Sequence, residues 1–329
     1  MTAAEVFVDQ VLEATVVGSF SRIGYDVRSR LGRWDEPPSM AGRSVVVTGA
    51  TSGLGHVAAT RLASLGASVR FVARDDARAR VARNSIIEAS GNGDVGYVIA
   101  DMADFAAVHG VADRLVDEFD VLDVLVHNAG AISPRPAWAP DGTEITVAAQ
   151  LVGPFVLTGL LLPWLRQARP GRVVTVSSGG MYAQRFDLDQ LEMVTEHYDG
   201  VTAYARVKRA QLVLNHEWAR RVDPRAVVFH AMHPGWADTP GVRSSLPGFH
   251  AVMRPLLRTP EQGADTIVWL AAGPGAPDVT GAFWLDRRQR WEHKLPWTRP
   301  NDPLADQARL WDWCVARAGQ WAAPAVDPA

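Results

Sequence analysis

The chain has 329 residues, 47% of them hydrophobic and 21% charged, a balance that excludes a disordered or fibrous protein. A formal net charge of -3 leaves no basic surplus for nucleic acid. The single cysteine, Cys314, excludes an internal disulfide and a cysteine-based metal cluster, and fits a reducing, cytoplasmic setting.

The first twenty residues lack a positively charged start and carry Glu5, Asp9 and Glu13, so they do not read as a secretory signal. Phe7, Val8, Val11, Leu12 and Val16 recur at helical spacing. This predicts a helix packed on its own domain; the alternative is a peripheral contact with a membrane or a partner. No stretch reads as long and apolar enough to cross a bilayer. Residues 1–40 form a helical extension that closes on the turn-rich WDEPPSM.

Seven short apolar runs then alternate with helix-patterned segments. They cover 44–49, 68–73, 96–100, 121–128, 172–178, 226–234 and 282–286. Their valine-rich, nearly continuous apolar character marks strands covered on both faces. The alternation predicts a seven-stranded parallel sheet with right-handed crossovers, a doubly wound α/β domain over 41–300. Two stretches, 179–203 and 235–258, interrupt the rhythm after the carboxyl ends of strands, where open α/β sheets bind ligands. The final segment, 301–329, holds a helix over about 303–318 and a loose tail after Trp321.

The first strand runs into Gly49-Ala50-Thr51-Ser52-Gly53-Leu54-Gly55, and a helix follows. Glycines there permit a tight turn and close approach to a pyrophosphate, and the helix amino terminus offers free N–H groups to the anion. The loop therefore predicts a Rossmann-type nucleotide site. The second strand ends Ala73-Arg74, where an NAD-binding chain would carry an acid for the ribose 2′-hydroxyl. A guanidinium suits a 2′-phosphate instead, so NADP(H) is favoured over NAD(H). The alternative makes Arg74 a solvated charge with Asp75 on the ribose; Asp75 and Asp76 otherwise cap the next helix. Asp101, with Met102 beside it in the cofactor-facing set, either meets the adenine amino group or caps the helix over 103–118.

Tyr204 and Lys208 lie four apart in a predicted helix, on one face. A phenol titrates near 10, and an ammonium about 4 Å away could lower that by up to roughly three units. The pair thus predicts a general acid/base tyrosine tuned by a lysine. Only two of the 33 basic residues are lysines, which singles Lys208 out in an arginine-writing chain. Ser178, with Ser177 as runner-up, ends the fifth predicted strand and can donate to a substrate carbonyl. His230 and His233 do not converge at strand spacing, and His216-Glu217 lacks a second histidine at the zinc-protease spacing, so no metal site is expected. His56 reads as packed or exposed, and the tryptophans of the last segment, Trp311 and Trp313, as packing or interface residues.

Together, the glycine loop, Asn128-Ala129-Gly130, Ser178, Tyr204-x-x-x-Lys208 and Pro234-Gly235 resemble the short-chain dehydrogenase/reductase superfamily over about 43–290. The loop spacing resembles its single-domain oxidoreductase branch. VVTVSSGGM at 173–181, MHPGWADTPGVRSSLPGFH at 232–250 and Ser21-Arg22-Ile23-Gly24-Tyr25 resemble, in particular, the member-12 group of dehydrogenase/reductases and its bacterial relatives. The resemblance implies an NADP-type enzyme that interconverts an alcohol and a ketone or aldehyde. It also implies that Asn128 braces the cofactor-binding strand ends, beside Ala129, Gly130, Pro234 and Gly235, and that Thr239 touches the nicotinamide carboxamide. The family's active-site asparagine falls at Gln150, a departure that either replaces a relayed water or breaks the relay. An NADP-binding regulatory or scaffold protein is the rival reading. Met181, Tyr182 and Phe186 on one side, and Trp236, Phe249 and Met253 on the other, are the candidate walls of a hydrophobic substrate mouth. The chain reads as a monomer or a homo-oligomer.

Overall fold

The computed structural model describes residues 3–168 and 170–322. Its sheet comprises β1 (Ser44–Thr48), β2 (Ser68–Ala73), β3 (Val95–Ile99), β4 (Val124–His127), β5 (Gly171–Val176), β6 (Val227–Met232), β7 (Ala282–Leu285) and β8 (Arg288–Gln289). The strand order is β3-β2-β1-β4-β5-β6-β7-β8. The first seven strands are parallel, and β8 pairs antiparallel with β7. The sheet is therefore eight-stranded, not seven-stranded. The two residues of β8 are polar and carry no apolar run. Their hairpin turn is Asp286-Arg287, both at positive φ (55° and 54°), instead of the Asn-Gly or Asp-Gly that announces such a turn in sequence.

Alternation along the strands separates two apolar layers. Val46 and Leu125 enter one, and Val45, Val47, Val124 and Val126 enter the other. Helices α1 (Ala3–Glu13), α2 (Val16–Phe20) and α3 (Arg22–Gly32) precede the sheet. Helices α4 (Gly53–Ser64), α5 (Asp76–Ser90) and α6 (Phe105–Glu118) follow the first three strands. Next come α7 (Ile145–Ala168) and α8 (Gly200–Arg221), then the short α9 (Pro240–Ser245) and α10 (Pro247–Met253), then α11 (Pro260–Ala272) and α12 (Pro303–Ala318). Helices α6, α7 and α8 cover the first layer, and α4, α5 and α11 the second. Strand order reverses between β1 and β4, which opens a crevice at their carboxyl ends.

One expectation and one alternative are corrected here. Helix α7 is long and apolar enough to cross a membrane, but 78% of its apolar window is buried inside the fold. Gly153, Pro154 and Pro163 break its sequence into pieces that do not look continuous. Asp104, not Asp101, caps α6 by accepting from the Ala107 N–H. Helix α1 packs on its own domain, as expected, but only part of the apolar set turns inward: Val8 and Leu12 are half-buried, and Phe7, Val11 and Val16 are exposed. Phe7 is 66% and Val11 55% exposed. Also inward are Asp9, held by Arg28 (2.7 Å), Arg290 (2.8 Å) and Arg288 (3.0 Å), and Glu13, held by Arg28 and Lys294. The apolar spacing located the helix, but four buried or half-buried cations decided which side faces in.

Helix α12 lies against α7 and α8. Trp311 meets the Phe155 ring edge-on at 5.0 Å and the Trp218 ring at 4.6 Å, and Cys314 is fully buried beneath it. Trp311 is thus a packing residue of the fold itself. Of the tail expected to be loose after Trp321, Ala322 packs against the core, and 323–329 lie outside the described residues.

Candidate active site

The floor of the crevice is the turn between β1 and α4. Gly49 sits at φ 73° and Gly53 at φ 60°, conformations that favour glycine. A Cβ on Gly49 would lie 2.7 Å from the Ala129 Cα, and one on Gly55 2.3 Å from the Asn128 Nδ2. These two glycines therefore let the β1 and β4 ends close on each other. The Asn128 amide donates to the carbonyls of Thr48 (3.1 Å) and Gly49 (2.9 Å), and the Thr48 hydroxyl accepts from the N–H groups of Asn128 and Ala129. Ser52 precedes α4 without spending its side chain on a cap, so the helix start and the hydroxyl both remain available to an anion. Leu54 is half-buried in this first turn, and Thr51 is half-buried just before it. Thr239 faces the loop, with its Cβ 3.6 Å from where a Gly53 side chain would begin, and its hydroxyl caps α9. His56 is engaged with the Ala50 carbonyl at 3.2 Å.

Arg74 ends the β2 edge of the crevice with an exposed side chain. Asp75 is committed to α5, accepting from the Arg78 N–H at 2.8 Å, and Asp76 accepts from the Tyr97 hydroxyl. The carboxylate of Asp101 is half-buried at the end of β3 and accepts from the Ala103 N–H at 2.9 Å. Met102 points into the core, which leaves only its backbone for a ligand.

Across the crevice stand the reacting candidates. Ser178 follows β5 half-buried and accepts from the Gly180 N–H, while the Tyr204 phenol lies next to its hydroxyl. Ser177 is buried and turned away, donating to the Lys208 carbonyl at 2.9 Å. Lys208 is 2% exposed; its Nζ donates to the Val176 carbonyl at 2.9 Å and lies 5.2 Å from the Tyr204 ring centre. Gln150 sits in a wider, five-residue helical turn over Ala148–Val152 within α7. Its Nε2 donates to the Ala131 carbonyl at 2.8 Å. A Cβ on Gly130 would be 2.7 Å from the Gln150 Oε1 and 3.3 Å from the Lys208 Nζ, so a bare glycine lets amide and ammonium share one corner. Pro234 and Gly235, the latter at φ 71°, follow β6 opposite this corner.

Electrostatics corrects the expected tuning. Burial pushes the Tyr204 phenol up to about 12, and the Ser178 hydroxyl only partly offsets this. Burial also pulls Lys208 down to about 7. The lysine lies over the ring, 5.2 Å from its centre, and burial disfavours its charge in this dry setting. The arrangement holds the phenol as a proton donor instead of a standing base.

The expected walls divide. Met181, Tyr182 and Phe186 are buried under the 179–203 segment and form core instead of a mouth. Trp236, Phe249 and Met253 are half-buried and remain at its edge. Sequence reading missed Gln211, whose amide donates to the Gln150 carbonyl at 2.6 Å, and it missed Phe20 and Arg258. No motif marks these residues. Among the described residues, no group of three or more His, Cys, Asp or Glu side chains comes together.

Comparison with known proteins agrees with this geometry. A family model described as short chain dehydrogenase matches residues 43–248. The chain is 39% identical over 293 residues to dehydrogenase/reductase SDR family member 12 of Bos taurus, covering 88% of this chain and 91% of that one. It is 33% identical over 307 residues to human retinol dehydrogenase 14, covering 86% and 88%. Among solved structures, an uncharacterized protein from Mycobacterium paratuberculosis superimposes with a TM-score of 0.68 at 28% identity, over 86% of this chain and 95% of that one. A short chain dehydrogenase from Burkholderia cenocepacia in complex with NADP gives 0.60 at 25% identity, over 74% and 96%.

Proposed function

The chain belongs to the short chain dehydrogenase family, and we propose that within it the protein is an NADP(H)-dependent oxidoreductase interconverting a hydrophobic alcohol and its ketone or aldehyde. The observation that carries this reading is the meeting of Ser178, the protonated phenol of Tyr204 and the buried Lys208 at the mouth of the crevice. A nicotinamide cofactor, when bound, supplies or accepts the hydride.

The residues on the opposite side fit such a group. The turn 49–55 offers glycines against which no side chain crowds the helix start, and Arg74 offers a guanidinium for a 2′-phosphate. In reduction, Tyr204 gives its proton to the substrate oxygen and Ser178 steadies that oxygen by hydrogen bonding. Lys208, anchored on Val176, stands behind the phenol to return a proton. Relatives named as retinol dehydrogenases, and the apolar residues Trp236, Phe249 and Met253 at the edge, support an apolar carbonyl substrate.

One observation favours the binding-protein reading. Gln150 uses its amide N–H on Ala131 and fills the corner near Lys208 where the family resemblance places an asparagine. The test is NADPH consumption by the purified protein across a carbonyl panel that includes all-trans-retinal, with Tyr204→Phe in parallel. The enzyme reading expects turnover that Tyr204→Phe reduces by about a hundredfold or more while NADPH still binds. Tight NADPH binding with no turnover on any carbonyl would move the binding-protein reading ahead.

A further inference from the structure

The family match begins at residue 43, yet residues 19–21 are wedged into the site. Phe20 is 3% exposed, its ring edge-on to His233 at 4.5 Å and to Trp236 at 5.8 Å. A Cβ on Gly179, the neighbour of Ser178, would fall 2.8 Å from the Phe20 ring. The aromatic therefore lies directly behind the serine turn, and only a glycine fits there. The Phe20 carbonyl accepts from the Trp236 N–H at 2.8 Å, and a Cβ on Gly235 would fall 2.6 Å from that same oxygen.

A buried arginine locks the wedge. Arg258 closes the 235–258 segment and is 1% exposed. Its guanidinium donates to the carbonyls of Ser19 (2.9 Å), Phe20 (3.0 Å), Ser21 (3.2 Å) and Pro234 (3.2 Å), and grips Asp286 at 2.6 and 2.9 Å. Its own backbone N–H donates to the Trp236 carbonyl at 2.8 Å. Trp236 is thus held on one side by Phe20 and touches Phe249 of α10 on the other, at 5.3 Å edge-on.

We infer that Phe20, from the N-terminal helical unit, is a positioning residue of the substrate site. It fixes the Trp236 wall and the Ser178 turn, and thereby sets how large an apolar carbonyl substrate is accepted. This rests on the oxidoreductase reading only for the word substrate; the positioning itself is a property of the fold. Truncating the ring leaves Trp236 and Gly179 without a backing surface, so the wall loosens while the glycine loop, on the far side of the crevice, is untouched.

The experiment uses the full chain as native protein, Phe20→Ala and Phe20→Leu, the leucine variant being the one that keeps most of the buried volume. Backbone hydrogen exchange is read in peptides covering 176–183 and 234–258, with the glycine loop at 49–55 as the reference. KM and kcat are read for two probes, all-trans-retinal and benzaldehyde. The expected result is exchange about tenfold faster in those two peptides for Phe20→Ala, unchanged exchange over the glycine loop at 49–55 and partial restoration by Phe20→Leu. The ratio of the two KM values shifts about tenfold, with kcat moving less. Unchanged exchange in those peptides for a folded Phe20→Ala overturns the inference; should Phe20→Ala fail to fold, exchange in Phe20→Leu identical to that of the native protein overturns it. If the native protein turns over neither probe, the substrate reading fails while exchange still decides the positioning.

Discussion

Asp286 offers a clean perturbation, because one buried carboxylate holds two buried arginines. It is 1% exposed, lies 2.7 Å from Arg28 and 2.6 and 2.9 Å from Arg258, and occupies a left-handed turn at φ 55°. Asparagine tolerates that backbone and matches the shape, so Asp286→Asn removes charge with little added strain. Breaking one side of a buried ion pair costs about 3–5 kcal/mol. Arg28 keeps Asp9 and Glu13, whereas Arg258 keeps only neutral carbonyls, which places the loss near the lower end, about 3 kcal/mol. At about 2.1 cal/mol/K of unfolding entropy per residue, a chain of this length loses roughly 1.5 °C per kcal/mol, hence about 4 °C in Tm. Calorimetry and urea unfolding at low and high salt are the assays. Because the pair is dry, salt should change the difference little. A variant within about 0.5 kcal/mol of the native protein would refute the claim that this carboxylate is what holds the N-terminal unit and the 235–258 segment together.

Arg74→Ala should weaken NADPH binding by about 10- to 100-fold, as expected for a charge-assisted contact, and leave NADH binding nearly unchanged; equal losses by titration would sink the 2′-phosphate assignment. Gln150→Asn should raise kcat if the longer amide hinders proton return, and an unchanged kcat and pH profile would remove the only support for a weakened catalyst. Burial pulls His216 down, but the hydrogen bond and charge of Glu292, 2.9 Å away, outweigh it and hold the imidazole above its ordinary value. Its contribution to stability is therefore complete below the unfolded value of about 6.5 and is lost as pH rises through the higher folded value. His216→Gln should flatten that part of the stability–pH curve, and an unaltered slope would count against the pairing.

The sheet was legible because its valine-rich runs are buried on both faces, and the crevice because glycines 49, 53 and 55 have no other reason to stand at a strand-to-helix turn. Tyr204 and Lys208 stood out by their spacing and Ser178 by its place at the end of a strand, and the fold brings the three together. What escaped has a common physical origin. Arg258 and Gln211 donate to backbone carbonyls of residues far away in the chain, and carbonyls leave no trace in residue type; Phe20 packs its ring on Gly179, His233 and Trp236, which the chain brings to it only on folding. Which side of α1 turns inward was not legible for a related reason. Periodicity reports that two faces differ, but which one turns inward depended on Arg28, Arg290 and Lys294 arriving from elsewhere. The pKa of Tyr204 was misjudged because a charge four residues away can be counted from sequence, while the loss of solvent around both groups cannot.

The scarcity of lysine has a practical consequence. Among side chains, this protein presents only two primary amines, Lys208 and Lys294. Lys294 is tied to Glu13, and Lys208 lies 2% exposed with its affinity for a proton lowered to about 7. Burial therefore favours the uncharged, nucleophilic form of Lys208 while shielding it. An acylating reagent small enough to enter the crevice should mark Lys208, and the modification of that one peptide, followed in a mass spectrum, reports on access to the site.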